Sequence, residues 1–188
     1  YNVDDSVIDD MRFALLKKAQ ENRDNENFAE LLVWFALQMK DYEIALDQEI
    51  ALDRRFDDRE YDVIYLAKIA RDNEQYDIAI RAYDYLIKKS TEGVYYEDAV
   101  VGMTEVQYQK VESSFYEDSK TEFYSEFEKR IEKECLELGV SDKTIPILII
   151  RAEILAFRLD EIEKSIELIN EVLNLNISRL NKARLKMK

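Results

Sequence analysis

Residues 57–88 read DDREYDVIYLAKIARDNEQYDIAIRAYDYLIK, and that stretch spells two amphipathic helices with a polar turn between them. Val63, Leu66, Ala67 and Ala70 recur three or four apart, the spacing that gathers side chains on one helical face. Asp72, Asn73 and Glu74 interrupt the pattern as a turn, and Tyr76, Ala79, Ile80, Tyr83, Leu86 and Ile87 resume it. Asp57, with Glu60 three residues on, reads as a capping box opening the first helix. The expected helices are about 59–71 and about 75–88. Antiparallel helices approach closely only where side chains are short, so Ala67 and Ala79 mark the tightest contact.

The preceding segment repeats this unit thirty-four residues earlier: Leu32, Ala36, Tyr42, Ala45 and Leu52 stand where Leu66, Ala70, Tyr76, Ala79 and Leu86 stand. That period is one helix-turn-helix unit of an array. One further step back, Ile8, Met11 and Leu15 fall at the places of Tyr42, Ala45 and Glu49. The helix about 5–20 is therefore either the second helix of a unit whose first is missing or a cap over the first pair. Forward, the register fails at Lys110 and Ser113, where a longer helix of about 94–111 carries Tyr96, Val100, Met103 and Val111. Ser119 and Glu122 form a capping box for another long helix ending near Leu138 and Gly139, and the segment connecting the two long helices, Glu112 to Asp118, holds Phe115 and Tyr116. A last pair runs from Thr144, the expected cap with Pro146 in the first turn, to about Asn174; a terminal helix begins near Ser178.

The residues Val63, Leu66, Ala67, Ala70, Tyr76, Ala79, Tyr83 and Leu86 resemble the tetratricopeptide repeat family, with Val63 for its usual Trp, Leu86 for its late Ala and no closing Pro. The earlier unit matches through Ala29, Leu32, Ala36, Tyr42, Ala45 and Leu52, with Val33 at the small position and Glu49 at the aromatic one. Ala152, Ala156, Ile162, Ser165, Ile169 and Val172 take family-like places in the last pair, Ser165 standing for Ala at the close contact. The resemblance implies an all-α solenoid of antiparallel helix hairpins, a tetratricopeptide-like superhelix with a non-standard third hairpin and a C-terminal capping helix. The chain is read as a single such domain: an N-terminal helix (1–24), two repeats (25–56 and 57–90), an irregular hairpin (91–139), a repeat-like hairpin (140–176) and a terminal helix (177–188). Lacking an initial Met, it is expected to be a piece of a longer protein.

Composition agrees with a globular helical protein. Of 188 residues, 47% are hydrophobic and 36% charged, while three Gly and one Pro leave little material for hairpin turns. No apolar run reaches the length of a bilayer span, and residues 1–10 carry acids where a secretory signal carries bases. A formal charge of −14 makes nucleic acid and anionic lipid poor partners and favours basic ones. The acid-free tail with Arg179, Lys182, Arg184, Lys186 and Lys188 reads as cations at the end of a terminal helix.

Chemistry is conspicuous by its missing motifs. There is no glycine-rich phosphate loop, no Gly-x-Ser-x-Gly elbow and no paired Cys spacing. Cys135 follows Phe123, Phe127 and Ile131 on one stripe and reads as a buried thiol, since with no His in the chain its usual activating base is lacking. Acid pairs lack the spacing of a calcium loop, and a di-iron site would require His. The expectation is a non-catalytic protein without cofactor or metal.

The resemblance further implies that first helices line a concave groove receiving a peptide or a partner helix. Its places are Glu30, Trp34, Leu37 and Gln38, then Ile64, Lys68 and Arg71, then the apolar row Ile147, Ile150, Ile154 and Phe157. The family's carboxylate clamp would place Lys and Asn where Glu30 and Trp34 stand, which argues against that mode of binding. The apolar row is either a docking groove or is covered by the C-terminal helix. Trp34 either anchors a partner or packs beneath the N-terminal helix. The expected role is an interaction scaffold for another protein or peptide of basic character, as a monomer. The alternatives are a peptide-sensing regulatory module of a larger signalling protein and a structural or self-association spacer.

Overall fold

A computed structural model describes residues 5–23, 25–113 and 120–187. Phe115, Tyr116, Ser119 and Lys188, singled out above, lie outside the described residues. Among those described there are ten α-helices and no strand: α1 Asp5–Glu21, α2 Asn27–Gln38, α3 Tyr42–Phe56, α4 Glu60–Asp72, α5 Tyr76–Lys89, α6 Tyr96–Glu112, α7 Lys120–Leu138, α8 Ile145–Phe157, α9 Ile162–Leu173 and α10 Arg179–Lys186. They divide into two compact units, residues 1–95 and 96–188.

In the first unit each helix packs on the next, α1 on α2 through to α4 on α5, and α3 also meets α5. The residues that carry the repeat fill its core: Leu32, Leu66, Ala36, Ala70, Ala45, Ala79, Leu52 and Leu86 are all buried. Leu15 of α1 packs with Leu32 and Phe35 of α2, so the N-terminal helix lies over the first pair. The period extends to backbone bonding. Asp41 N–H donates to the Ala36 carbonyl and Gln75 N–H to that of Ala70, each at 2.8 Å, closing both first helices in the same way. Between them Lys40 and Glu74 sit in the left-handed region at φ 58° and 61°, a conformation usually given to Gly.

The capping box expected at Asp57 is not formed. Asp57 ends α3 instead, itself left-handed at φ 56°, and Arg59 occupies the N-cap position of α4. The cap is supplied from the preceding helix: Asp53 Oδ1 accepts the Arg59 N–H at 2.9 Å. A carboxylate already fixed in the α3/α4/α5 junction needs no loop ordering to bond that amide, and it displaces the local solution.

In the second unit α8 packs against α6, α7 and α9, which explains why it is apolar all round. Its isoleucines join Val101, Phe127, Ile131, Ile177 and Leu185 in one core. The α6 stripe is wider than expected, with Ala99, Thr104 and Val106 fully buried beside Val100. Cys135 is buried, and burial pushes its thiol up to about 11, in keeping with an unreactive side chain. Ser165 Oγ donates to the Ala152 carbonyl at 2.9 Å, so the hydroxyl at the close α8/α9 contact is satisfied. Thr144 stands at the N-cap of α8 with Pro146 in the first turn, but its hydroxyl turns back, donating to the Gly139 and Ser141 carbonyls rather than capping.

Candidate functional site

Each unit offers a surface feature with candidate binding groups, an exposed face in the first and a cleft in the second. On α2 the exposed row is Asn27, Leu31, Trp34 and Gln38; on α4 it is Tyr61, Tyr65, Lys68 and Asp72. These rows are each other's repeat equivalents, thirty-four residues apart, so two successive first helices turn the same face outward. Trp34 is 55% exposed, Tyr61 59% and Tyr65 54%, unusual values for such large rings. Tyr61 and Tyr65 lie nearly parallel with centroids 6.3 Å apart, and Tyr95 flanks Tyr61 at the same separation.

The spacing of the two rows is held from beneath by charge. Arg59 at the head of α4 donates to Glu26 at 2.6 Å, to Asp62 at 3.2 Å and to Glu30, so its guanidinium ties α4 to α2. Hydrogen bonding to Glu30 and Glu26 outweighs burial and raises its pKa. A second cluster sits one turn away. Asp53, fully buried, accepts from Tyr85 Oη at 2.7 Å and Lys89 Nζ at 2.8 Å; Lys89 also reaches Asp57 and Glu60. Burial alone would raise the Asp53 pKa, but these bonds lower it, and Tyr85 is pushed up to about 12 by burial and by Asp53. Between the clusters lies Glu49 of α3, 6% exposed, with Oε2 bonded to nothing. Burial first, then the neighbouring Asp62, Glu30 and Asp53, raise it to about 7, with Arg59 opposing.

In the second unit a cleft of about 360 Å³ opens between α6, α8 and α10. Tyr108, Pro146, Ile149, Ile150 and Met187 form its apolar wall; Glu105, Gln109, Glu153 and Arg184 stand among them.

Of the residues expected to line a groove, Trp34, Gln38 and Lys68 are exposed and Leu37 and Arg71 half-exposed. Trp34 is not packed beneath α1. Ile64 is a correction: it is 3% exposed, because the outward row of α4 begins at Tyr61 and passes through Tyr65, leaving Ile64 on the core flank. Ile147 and Ile154 are fully buried and Ile150 nearly so, held in the core with Leu185 of α10, so of the apolar row only Phe157 stands free to solvent, at 70%. Ile150 keeps an edge in the cleft. Leu31, Tyr61 and Tyr65 share this exposure without having been singled out from the sequence, although the signal is legible there: large residues three apart (Leu31 and Trp34) or four apart (Tyr61 and Tyr65) on the polar side of their helices.

Repeat-equivalent helices, turns and outward rows settle the architecture. The fold is all-α and tetratricopeptide-like. No protein-family model matches the chain, and no curated protein does. Among solved structures it is similar to the crystal structure of a tetratricopeptide repeat protein from Parabacteroides merdae ATCC 43184, at 11% identity and a TM-score of 0.47, over 97% of this chain. The chain spans 66% of that protein's length, less than two thirds. No helix among the described residues is long and apolar enough to cross a membrane, and no group of His, Cys, Asp and Glu among them is arranged to hold a metal ion.

Proposed function

We propose that the protein is a non-catalytic interaction scaffold whose α2/α4 face binds a segment of another protein. The observation that carries this reading is the exposed quartet Leu31, Trp34, Tyr61 and Tyr65 on repeat-equivalent helices. A chain with 41 acidic residues has kept all but one, Asp72, out of that row. Monomers seldom leave large rings grouped on the surface, and Trp and Tyr are the residues that most often dominate interface energies. Gln38, Lys68 and Arg71 supply polar contacts at the edge, and Leu37 widens the apolar strip. The net charge steers basic partners toward the protein, while the apolar row supplies the affinity once they arrive.

Site-specific photo-crosslinking tests this. A photoreactive residue at position 34 or 65 is expected to trap the same partner proteins, and Tyr61→Glu to abolish both adducts. The same residue at position 88, an exposed site on α5, is the comparison. Identical adduct patterns at all three positions would refute a dedicated α2/α4 face.

A further inference from the structure

The last hairpin carries an apolar strip that its own chain covers only in part. α9 repeats Ile162, Ile166, Ile169 and Leu173 at steps of four, three and four, the a/d spacing with which one helix meets another. Ile169 and Leu173 are half-buried against the core of the unit. Ile162 and Ile166, by contrast, are 53% and 54% exposed, and Phe157 at the end of α8 is more exposed still.

The position of α10 accounts for the difference. Ser178 and Asn181 at its start donate to Asp142 in the turn before α8, and Arg184 and Met187 near its end line the cleft with Pro146 and Ile150. α10 therefore starts at the turn before α8 and packs against α9, and with eight residues it measures about 12 Å. It stops short of the end where α8 finishes and α9 begins.

α10 is itself a basic amphipathic helix packed on this unit. Leu185 and Asn181 are buried, while Arg179, Lys182, Arg184 and Lys186 surround them without one acid. The uncovered strip continues in the same terms, being flanked by Asp160, Glu163 and Glu167. Lys164, the one cation on α9, is taken by Glu161 at 2.8 Å, and among the described residues no cation pairs with Glu163 or Glu167.

We infer that Phe157, Ile162 and Ile166 form a docking strip for a basic amphipathic helix of a partner protein. Its apolar anchors, three and four residues apart, extend the α9 seam, and its Lys or Arg side chains face Glu163 and Glu167. A second copy of this chain is the wrong occupant: antiparallel two-fold pairing would bring those two glutamates against their own equivalents, and parallel pairing would offer them no cation, since the one on α9, Lys164, is taken by Glu161. The strip shares no residue with the α2/α4 face, so it stands or falls separately from the function proposed above.

The test uses the full chain and two synthetic helical peptides with Leu at a/d spacing, one carrying Lys and the other Glu at the flanking positions. The Lys peptide is expected to bind with NMR shifts confined to the α8/α9 end and with affinity falling as salt rises. Ile166→Asp is expected to weaken it by about tenfold or more. Glu163→Lys with Glu167→Lys, which leaves every apolar residue in place, is expected to transfer the preference to the Glu peptide even if Ile166→Asp disturbs folding. Equal binding of the two peptides, shifts located elsewhere, or a dimer in sedimentation that Ile166→Asp abolishes would each overturn the inference.

Discussion

Glu49→Gln should remove a pH dependence that the buried carboxyl imposes on the whole first unit. Glu49 is 6% exposed, its Oε2 has no partner, and burial with the fields of Asp62, Glu30 and Asp53 lifts its pKa from 4.5 to about 7. Arg59 opposes this rise without cancelling it, its guanidinium being bonded to Glu26, Glu30 and Asp62. The folded chain thus holds a proton between about pH 4.5 and about pH 7 that the unfolded chain has released. Stability is greatest below the unfolded pKa and is lost as pH rises through the folded one. The interval corresponds to about 3 kcal/mol at about 1.4 kcal/mol per pH unit. Gln keeps the shape of the neutral acid and cannot ionise. Urea denaturation followed by far-UV circular dichroism at pH 5 to 8 should show the parent losing about 2.5 kcal/mol relative to Glu49→Gln across that range, the first part of the loss falling below pH 5. The chain has no His, which leaves the window unusually clear, and Glu134, also raised by burial, is controlled by Glu134→Gln. General charge repulsion grows equally in both proteins and cancels in the difference. Parallel curves for parent and Glu49→Gln would refute the reasoning.

Three further outcomes follow from the packing. Lys89→Met leaves the buried Asp53 without its cation and should cost about 3–5 kcal/mol in chemical denaturation; since the Asp53 pKa is lowered, the deficit should shrink as pH falls and the carboxylate is protonated. Ile154→Ala, in the middle of the second unit's core, should cost about 2–5 kcal/mol by the same measurement, whereas Phe157→Ala at the exposed end of that helix should stay within about 1 kcal/mol. Glu74→Gly relieves a left-handed backbone at φ 61° and should raise the melting temperature, while Glu74→Val should lower it.

The helices and most core positions were legible because apolar residues at helical spacing, repeated at a fixed period, constrain one another: Leu32 and Leu66, or Ala45 and Ala79, could not both face solvent without breaking two units at once. The rotational setting of each first helix was less legible. Ile64 occupies the repeat place of Glu30, yet Glu30 reaches out to Arg59 while Ile64 turns into the core, so equivalent backbone positions hold side chains with opposite fates. The buried acids were not legible at all. Glu49 and Asp53 are four apart on α3, as any solvated acidic flank would be, and only the packing of α4 and α5 encloses them. Arg59 and Lys89, the cations that answer these acids, likewise look like surface charges until the helices are stacked.

The same enclosed charges set the geometry of the exposed α2/α4 row. Trp34, Tyr61 and Tyr65 make no core that could hold α2 and α4 in register; Arg59 links the two helices, shared between Glu26 and Glu30 on one side and Asp62 on the other. A surface ion pair contributes little, but this guanidinium is only 15% exposed and holds several partners, so its geometry is restricted. The acids most suited to attract a basic ligand at this face are therefore already engaged. An incoming Lys or Arg would have to compete with Arg59 for Glu30, whereas an incoming apolar side chain meets no such competitor. For the interface proposed at this face, affinity would therefore come from apolar contact with Leu31, Trp34, Tyr61 and Tyr65, and the net negative charge of the chain would act on the approach of a basic partner rather than in the contact itself.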